Sequence, residues 1–191
     1  NPLNIGRSNY NNGYGYFNGT ISEVSLWNLG TTPVISDTGH VTANWCFTEM
    51  SGTALVDHSG SGNNGTITGA SWQQVNGTRG LVFNGTSNYV SVPHNSSLNF
   101  GTGNFSVEVT FKTSVVPTGS WTALVSKHNT AAWHDREFNV SIEGSTGKAY
   151  ISLSDGTGIF ETAKGTTNVC DGLFHTVRGV RQGSQLKLYV D

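Results

Sequence analysis

Hydrophobic positions recur along the chain with a period of two. Phe105, Val107, Val109 and Phe111 alternate with Ser106, Glu108 and Thr110, and Phe138, Val140 and Ile142 with Asn139, Ser141 and Glu143. The same pattern places Ala149, Ile151 and Leu153 on one side of a strand, and Leu186, Leu188 and Val190 on one side of another. Each run fits a half-buried antiparallel strand. Weaker alternation predicts strands over 17–27, 41–47, 66–72, 79–83, 88–92, 121–126 and 174–181. Turn dipeptides separate them: Asn-Gly at 64–65, 76–77 and 84–85, Asp-Gly at 155–156 and 171–172. Many short strands between tight turns predict an all-β fold, an antiparallel two-sheet β-sandwich of the jelly-roll kind. Segment 28–40 (NLGTTPVISDTGH) has no periodicity and reads as a linker or crossover. Residues 1–27 hold too few strands to be stable alone, so they must dock on something.

Composition removes whole classes of function. The 191 residues include 25 Gly, and Gly, Asn, Thr and Ser together supply nearly half of the chain. Strong helix formers are scarce, which excludes a helical or α/β architecture. Only 12% of residues are charged and the net charge is −2, so there is no basic face for nucleic acid and no polybasic membrane patch. No apolar run approaches the length needed to span a bilayer. A hydrophobic fraction of 35%, with 5 Trp and 9 Phe, suffices for a core. Low charge and heavy use of small polar residues suit an extracellular or surface-exposed sandwich. Cys46 and Cys170 are compatible with one disulfide or with two buried free thiols. Asn-x-Ser/Thr sequons stand at Asn18, Asn64, Asn76, Asn84, Asn95, Asn104 and Asn139, little above chance for this composition. With no initiator Met and no signal peptide, the sequence reads as a mature chain or an excised piece.

The motifs, taken in order, resemble the laminin-G-like, concanavalin A-like jelly roll. They begin with Trp45-Cys46-Phe47-Thr48-Glu49, Asp57-His58-Ser59-Gly60 and Asn63-Asn64-Gly65-Thr66. Leu81-Val82-Phe83-Asn84-Gly85, Asn88-Tyr89-Val90-Ser91-Val92-Pro93 and Asn104-Phe105-Ser106-Val107-Glu108-Val109 follow. The series ends with Asp171-Gly172-Leu173-Phe174-His175-Thr176-Val177, where Phe174 replaces the usual Trp, and Leu188-Tyr189-Val190-Asp191. The family's closing piece stands at the start instead, as Leu3-Asn4-Ile5-Gly6-Arg7 and Tyr16-Phe17-Asn18-Gly19-Thr20-Ile21-Ser22-Glu23-Val24-Ser25-Leu26-Trp27. Residues 1–27 thus read as closing strands of a jelly roll, and 41–191 as the main body of one that lacks its last strands. Three arrangements fit: a window across tandem repeats, a permuted single domain, or a unit that lends its first strands to the next copy. In the last, Phe17, Ile21, Val24, Leu26 and Trp27 would form the inter-unit strand, because an incomplete sandwich leaves an edge that a partner's strand can fill.

Catalytic chemistry has little basis in the sequence. Glu23, Glu108, Glu143 and Glu161 have no second carboxylate at i+2 or i+4, the spacing by which one strand presents an acid and a nucleophile on the same face. No nucleophile motif accompanies the cysteines. By resemblance to related folds that hold calcium in rim loops, Asp135 and Glu137 are candidate calcium ligands, unless Arg136 pairs with them. Asp57, with Glu23, is a second calcium candidate; the alternative is an Asp that holds its own turn. For sugar, Trp133 flanked by Asn129, His134 and Asp135 offers a ring and hydrogen-bonding groups. Tyr10, Tyr14 and Tyr16 form a second aromatic run, while Trp27, Trp45, Trp72 and Trp121 are expected in the core. The sequence therefore predicts a non-enzymatic extracellular structural or adhesive module. It would assemble with copies of itself or adjacent repeats through strand complementation. The alternative is a carbohydrate-binding module, with calcium as a candidate cofactor and glycans as partners.

Overall fold

The computed structural model describes residues 1–8, 15–30, 40–127, 138–154 and 160–191. They form two antiparallel sheets. In spatial order the first contains β13 (Phe160–Asn168), β12 (Lys148–Ser154), β11 (Phe138–Glu143), β10 (Trp121–Lys127), β1 (Leu3–Ile5), β8 (Tyr89–Val92), β5 (Gly65–Thr68) and β4 (Ala54–Leu55). The second runs β15 (Gln185–Val190), β14 (Phe174–Gln182), β9 (Asn104–Lys112), β2 (Asn18–Gly30), β7 (Thr78–Asn84) and β6 (Ser71–Val75), with β3 (His40–Trp45) also paired to β2. There is no α-helix among the described residues. The expected all-β, two-sheet sandwich is what the chain adopts.

The alternation in sequence becomes a core between the sheets. Ile5, Val125, Val140 and Ile151 lie in register across four neighbouring strands of the first sheet. Opposite them, Ile21, Val24 and Leu26 of β2 and Val107, Val109 and Phe111 of β9 fill the inner face of the second. Phe17 packs edge-on to Phe83 and Phe111, with centroids 6.1 and 5.9 Å away. Asn76 and Gly77 connect β6 to β7 with φ of 51° and 85°, the left-handed pair that a two-residue hairpin needs and that Asn-Gly supplies.

The first 27 residues sit inside these sheets. β1 lies between β10 and β8, and β2 pairs with β9 along nearly its whole length. Phe17, Ile21, Val24 and Leu26 are buried against their own chain, and Trp27 is half-buried. Both strands pair within their own chain's sheets, and lending them to a neighbour would mean breaking the β2–β9 ladder. Of the expected linker, residues 28–30 extend β2, His40 opens β3, and 31–39 lie outside the described residues.

Several expectations need correction. The strand expected over 66–72 is two strands in different sheets, β5 and β6, because Gly69 at φ 72° turns the chain between them. β13 was not predicted, since its sequence FETAKGTTN carries no apolar alternation. Only Trp45 of the four supposed core tryptophans is fully buried, its Nε1 donating to the Asn63 carbonyl at 2.9 Å. Trp27, Trp72 and Trp121 are half-buried. Cys46 and Cys170 form no disulfide. Both are free thiols, for Cys46 follows β3 beside the second sheet while Cys170 follows β13 at an outer edge of the first. Burial pushes the Cys170 thiol up to about 11, with the Asp171 charge adding to the shift.

Candidate functional site

The face of the first sheet turned away from the core carries a row of short polar side chains. Register places Ser91, Asn4, Ser126, Asn139 and Ser152 side by side across β8, β1, β10, β11 and β12. An outward row on a sandwich is ordinarily solvated. Here its centre is buried: Asn4 and Ser126 are 0% exposed and Asn139 3%. The flanking Ser91 and Ser152 are half-buried. Ser126 Oγ donates to the Arg7 carbonyl at 2.8 Å, and Arg7 Nη2 reaches Asn4 Oδ1 at 3.4 Å. The Arg7 guanidinium lies flat on Tyr89, 3.4 Å from the ring centroid. Three buried polar atoms in this patch have no hydrogen-bond partner among the described residues: Asn4 Nδ2, Arg7 Nε and Asn139 Oδ1. Each such atom costs desolvation without return until something supplies the missing contact. One row over, burial raises the Tyr150 hydroxyl well above its ordinary value, against a smaller opposing effect of Ser141.

Asp57 shows the opposite condition. It lies in the loop between β4 and β5, and its Oδ1 accepts the backbone N–H groups of Asn44 and Ser59, each at 2.9 Å. Its Oδ2 accepts the Asn63 N–H and the Ser59 hydroxyl, also at 2.9 Å. Burial alone would raise the carboxyl, but these donors outweigh it and hold Asp57 below its ordinary value. Four donors aimed at two oxygens leave no room for a cation, so the residues present do not fit calcium at Asp57. Glu23, the other half of that candidate pair, is exposed on β2, and its Oε1 lies 3.5 Å from Ser25 Oγ. Among the described residues no group of three His, Cys, Asp or Glu side chains is arranged to hold a metal.

Asn129, Trp133, His134, Asp135 and Glu137 lie outside the described residues, as do Tyr10 and Tyr14. The segment that carries the first five connects β10 to β11, the two strands that contribute Ser126 and Asn139. Tyr16 is described: it bridges to Arg7 and borders a cleft of about 630 Å³ at the sandwich rim. Asn18, Thr86, Pro117, Trp121 and Thr122 also line the cleft, and no charged side chain does so among the described residues.

Sequence reasoning did not single out Asn4, Arg7, Ser126 and Asn139 as a site. Its available signal was polar residues at the outward positions of otherwise apolar strands, a signal shared by every solvated strand. A further cluster also went unread. His175 Nδ1 lies 2.8 Å from Asp191 Oδ2 and its Nε2 3.0 Å from Asp171 Oδ1. Only the imidazolium donates to both. Burial lowers its affinity for a proton, but the two carboxylates prevail and raise it. Asp171 is lowered by the Leu173 N–H and by His175, and Asp191 by His175 and the Thr176 N–H.

Two antiparallel sheets packed face to face define a β-sandwich of the jelly-roll kind. The comparison with protein families agrees: the laminin G-like family of the concanavalin A-like lectin/glucanases superfamily matches residues 84–191. The match spans more than half of the chain, which belongs to this family. No curated protein and no solved structure matches the chain.

Proposed function

We propose that this domain is a non-enzymatic glycan-binding module that works outside the cell, with the polar face of the first sheet as its binding surface. The observation that carries the reading is the buried row Asn4–Ser126–Asn139 with its unpartnered amide atoms. Amides and hydroxyls at fixed spacing match the hydroxyl groups of a sugar, and the half-buried Ser91 and Ser152 at the ends of the row are the groups a ligand would meet first. Trp133 is the candidate sugar platform, with Asn129, His134 and Asp135 as its polar neighbours in the sequence between β10 and β11. Asp135 and Glu137 remain the candidate calcium ligands, so binding is to be compared in calcium and in chelator.

The test is a glycan array with the wild-type chain, Asn139→Ala and Trp133→Ala. Wild-type signal on a defined set of glycans, lost in both variants at unchanged melting temperature, supports the reading. A flat array in calcium and in chelator overturns it. The structural building-block reading is distinguished by native mass: with β1 and β2 in their own sheets the expected result is a monomer, and dilution-resistant polymers would restore strand exchange.

A further inference from the structure

We infer that Asn76 is a site of spontaneous covalent modification: the Gly77 main-chain nitrogen attacks its side chain, and water opens the product to aspartate and its β-linked isomer. The inference is independent of glycan binding. The tripeptide Asn-Gly-Thr occurs at 18–20, 64–66, 76–78 and 84–86, so four copies of one local sequence stand in four surroundings. Asparagine before glycine is chemically labile, because glycine has no Cβ to shield the attacking nitrogen. Three of the copies are protected. Asn84 Oδ1 accepts the N–H groups of Thr86, Ser87 and Asn88 at 3.0, 3.0 and 3.2 Å, and its Nδ2 donates to Ser87 Oγ at 3.1 Å. The Gly85 N–H is also engaged, donating to the Phe17 carbonyl at 3.0 Å. Asn64 Oδ1 accepts the Asp57 N–H at 2.8 Å, and Gly65 is buried in β5 opposite Leu55. Gly19 lies in β2 opposite Phe83, where even a methyl group would strike the Lys112 carbonyl and the Phe17 ring. Asn76 has none of these restraints. It is exposed in the turn between β6 and β7, and its side chain forms no hydrogen bond among the described residues. A methyl group at Gly77 would meet no atom within 4 Å. The hairpin closes on the pair Val75 and Thr78, which leaves the Gly77 N–H outside the ladder. Among the described residues β6 ends its sheet and pairs with β7 alone, so the tip opens without disturbing a second neighbour. In the reaction the Gly77 nitrogen gives up its proton and bonds to Asn76 Cγ, the Cγ–Nδ2 bond breaks, and ammonia leaves with a proton. Water then opens the cyclic imide at either carbonyl. Opening at the main-chain carbonyl routes the chain through the former side chain, which adds a methylene and a negative charge to the turn.

The experiment uses the wild-type chain from a host that does not glycosylate asparagine, incubated at pH 6 and at pH 9 with a parallel sample in denaturant. Peptide mapping by mass spectrometry follows each Asn-Gly peptide, in which deamidation adds about one mass unit. In the folded chain Asn76 should be modified at least about tenfold faster than Asn18, Asn64 or Asn84. The rate should be higher at pH 9 than at pH 6, because the attacking nitrogen must lose its proton. In denaturant the four rates should converge to within about twofold, since the four tripeptides are the same and only the fold distinguishes them. An unmodified Asn76, a faster rate at any of the other three sites, or the same spread of rates in denaturant overturns the inference. No variant is needed, so a failure to fold does not enter the result.

Discussion

The turn around Asp57 and the outer face around Asn139 are both polar, buried and built from Asn and Ser, yet their bookkeeping of hydrogen bonds is opposite. At Asp57 both oxygens are filled by donors from Asn44, Ser59 and Asn63, and Asn63 itself is fixed by Thr42 and Ser97. At the outer face Asn4, Arg7 and Asn139 each keep a buried atom with no partner among the described residues. A closed network stabilises the fold and has nothing left to offer a ligand. An open one costs stability.

The comparison breaks most visibly at Asp57. Asp57→Ala strands three backbone donors, and a loss of about 3 kcal/mol or more is expected in denaturant titration. With Asp135 and Glu137 replaced by Ala, calcium should leave the melting temperature unchanged, because the Asp57 carboxylate is closed. Acid probes the same site. Because the folded Asp57 is held below its ordinary 3.8, its contribution is present above that value and lost as the pH falls through the folded one.

His175 offers an intermediate case, closed only while it is protonated. Its folded pKa is raised above the unfolded 6.5, so its contribution is complete below 6.5 and is lost as the pH rises through the folded value. His175→Gln should therefore lower the melting temperature more at pH 5.5 than at pH 9. An equal drop at both would mean that the ring only fills space. Asn139→Ala should change stability by about 1 kcal/mol or less, since it deletes an acceptor with no donor. A large loss would show that Asn139 belongs to a closed network like that of Asp57. The smallest effect is expected from reductant: with both thiols free, dithiothreitol leaves the melting curve unmoved, and thiol titration in denaturant gives two reactive groups per chain.

Strands with apolar alternation were legible because burial writes its period directly into the sequence. The runs at 105–111, 138–142, 149–153 and 186–190 all fall within strands. β13 was not legible, because it is held by main-chain pairing to β12 rather than by an apolar face of its own. The Asp57 turn could be read as either turn or calcium site, because both use an Asp among Gly and Asn. The polar row could not be read at all: Asn4 and Ser126 are neighbours only through the pairing of β1 with β10.

By itself the sequence determined an all-β chain, its principal strands, its tight turns and its resemblance to the laminin-G-like jelly roll, since these depend on local period and motif order. Tertiary structure alone decided that β1 and β2 enter their own chain's sheets, that the cysteines stay apart, and that Asn4, Arg7, Ser126 and Asn139 share one surface. Those facts depend on the register between strands distant in sequence, and register follows from how two sheets pack rather than from any short stretch of residues.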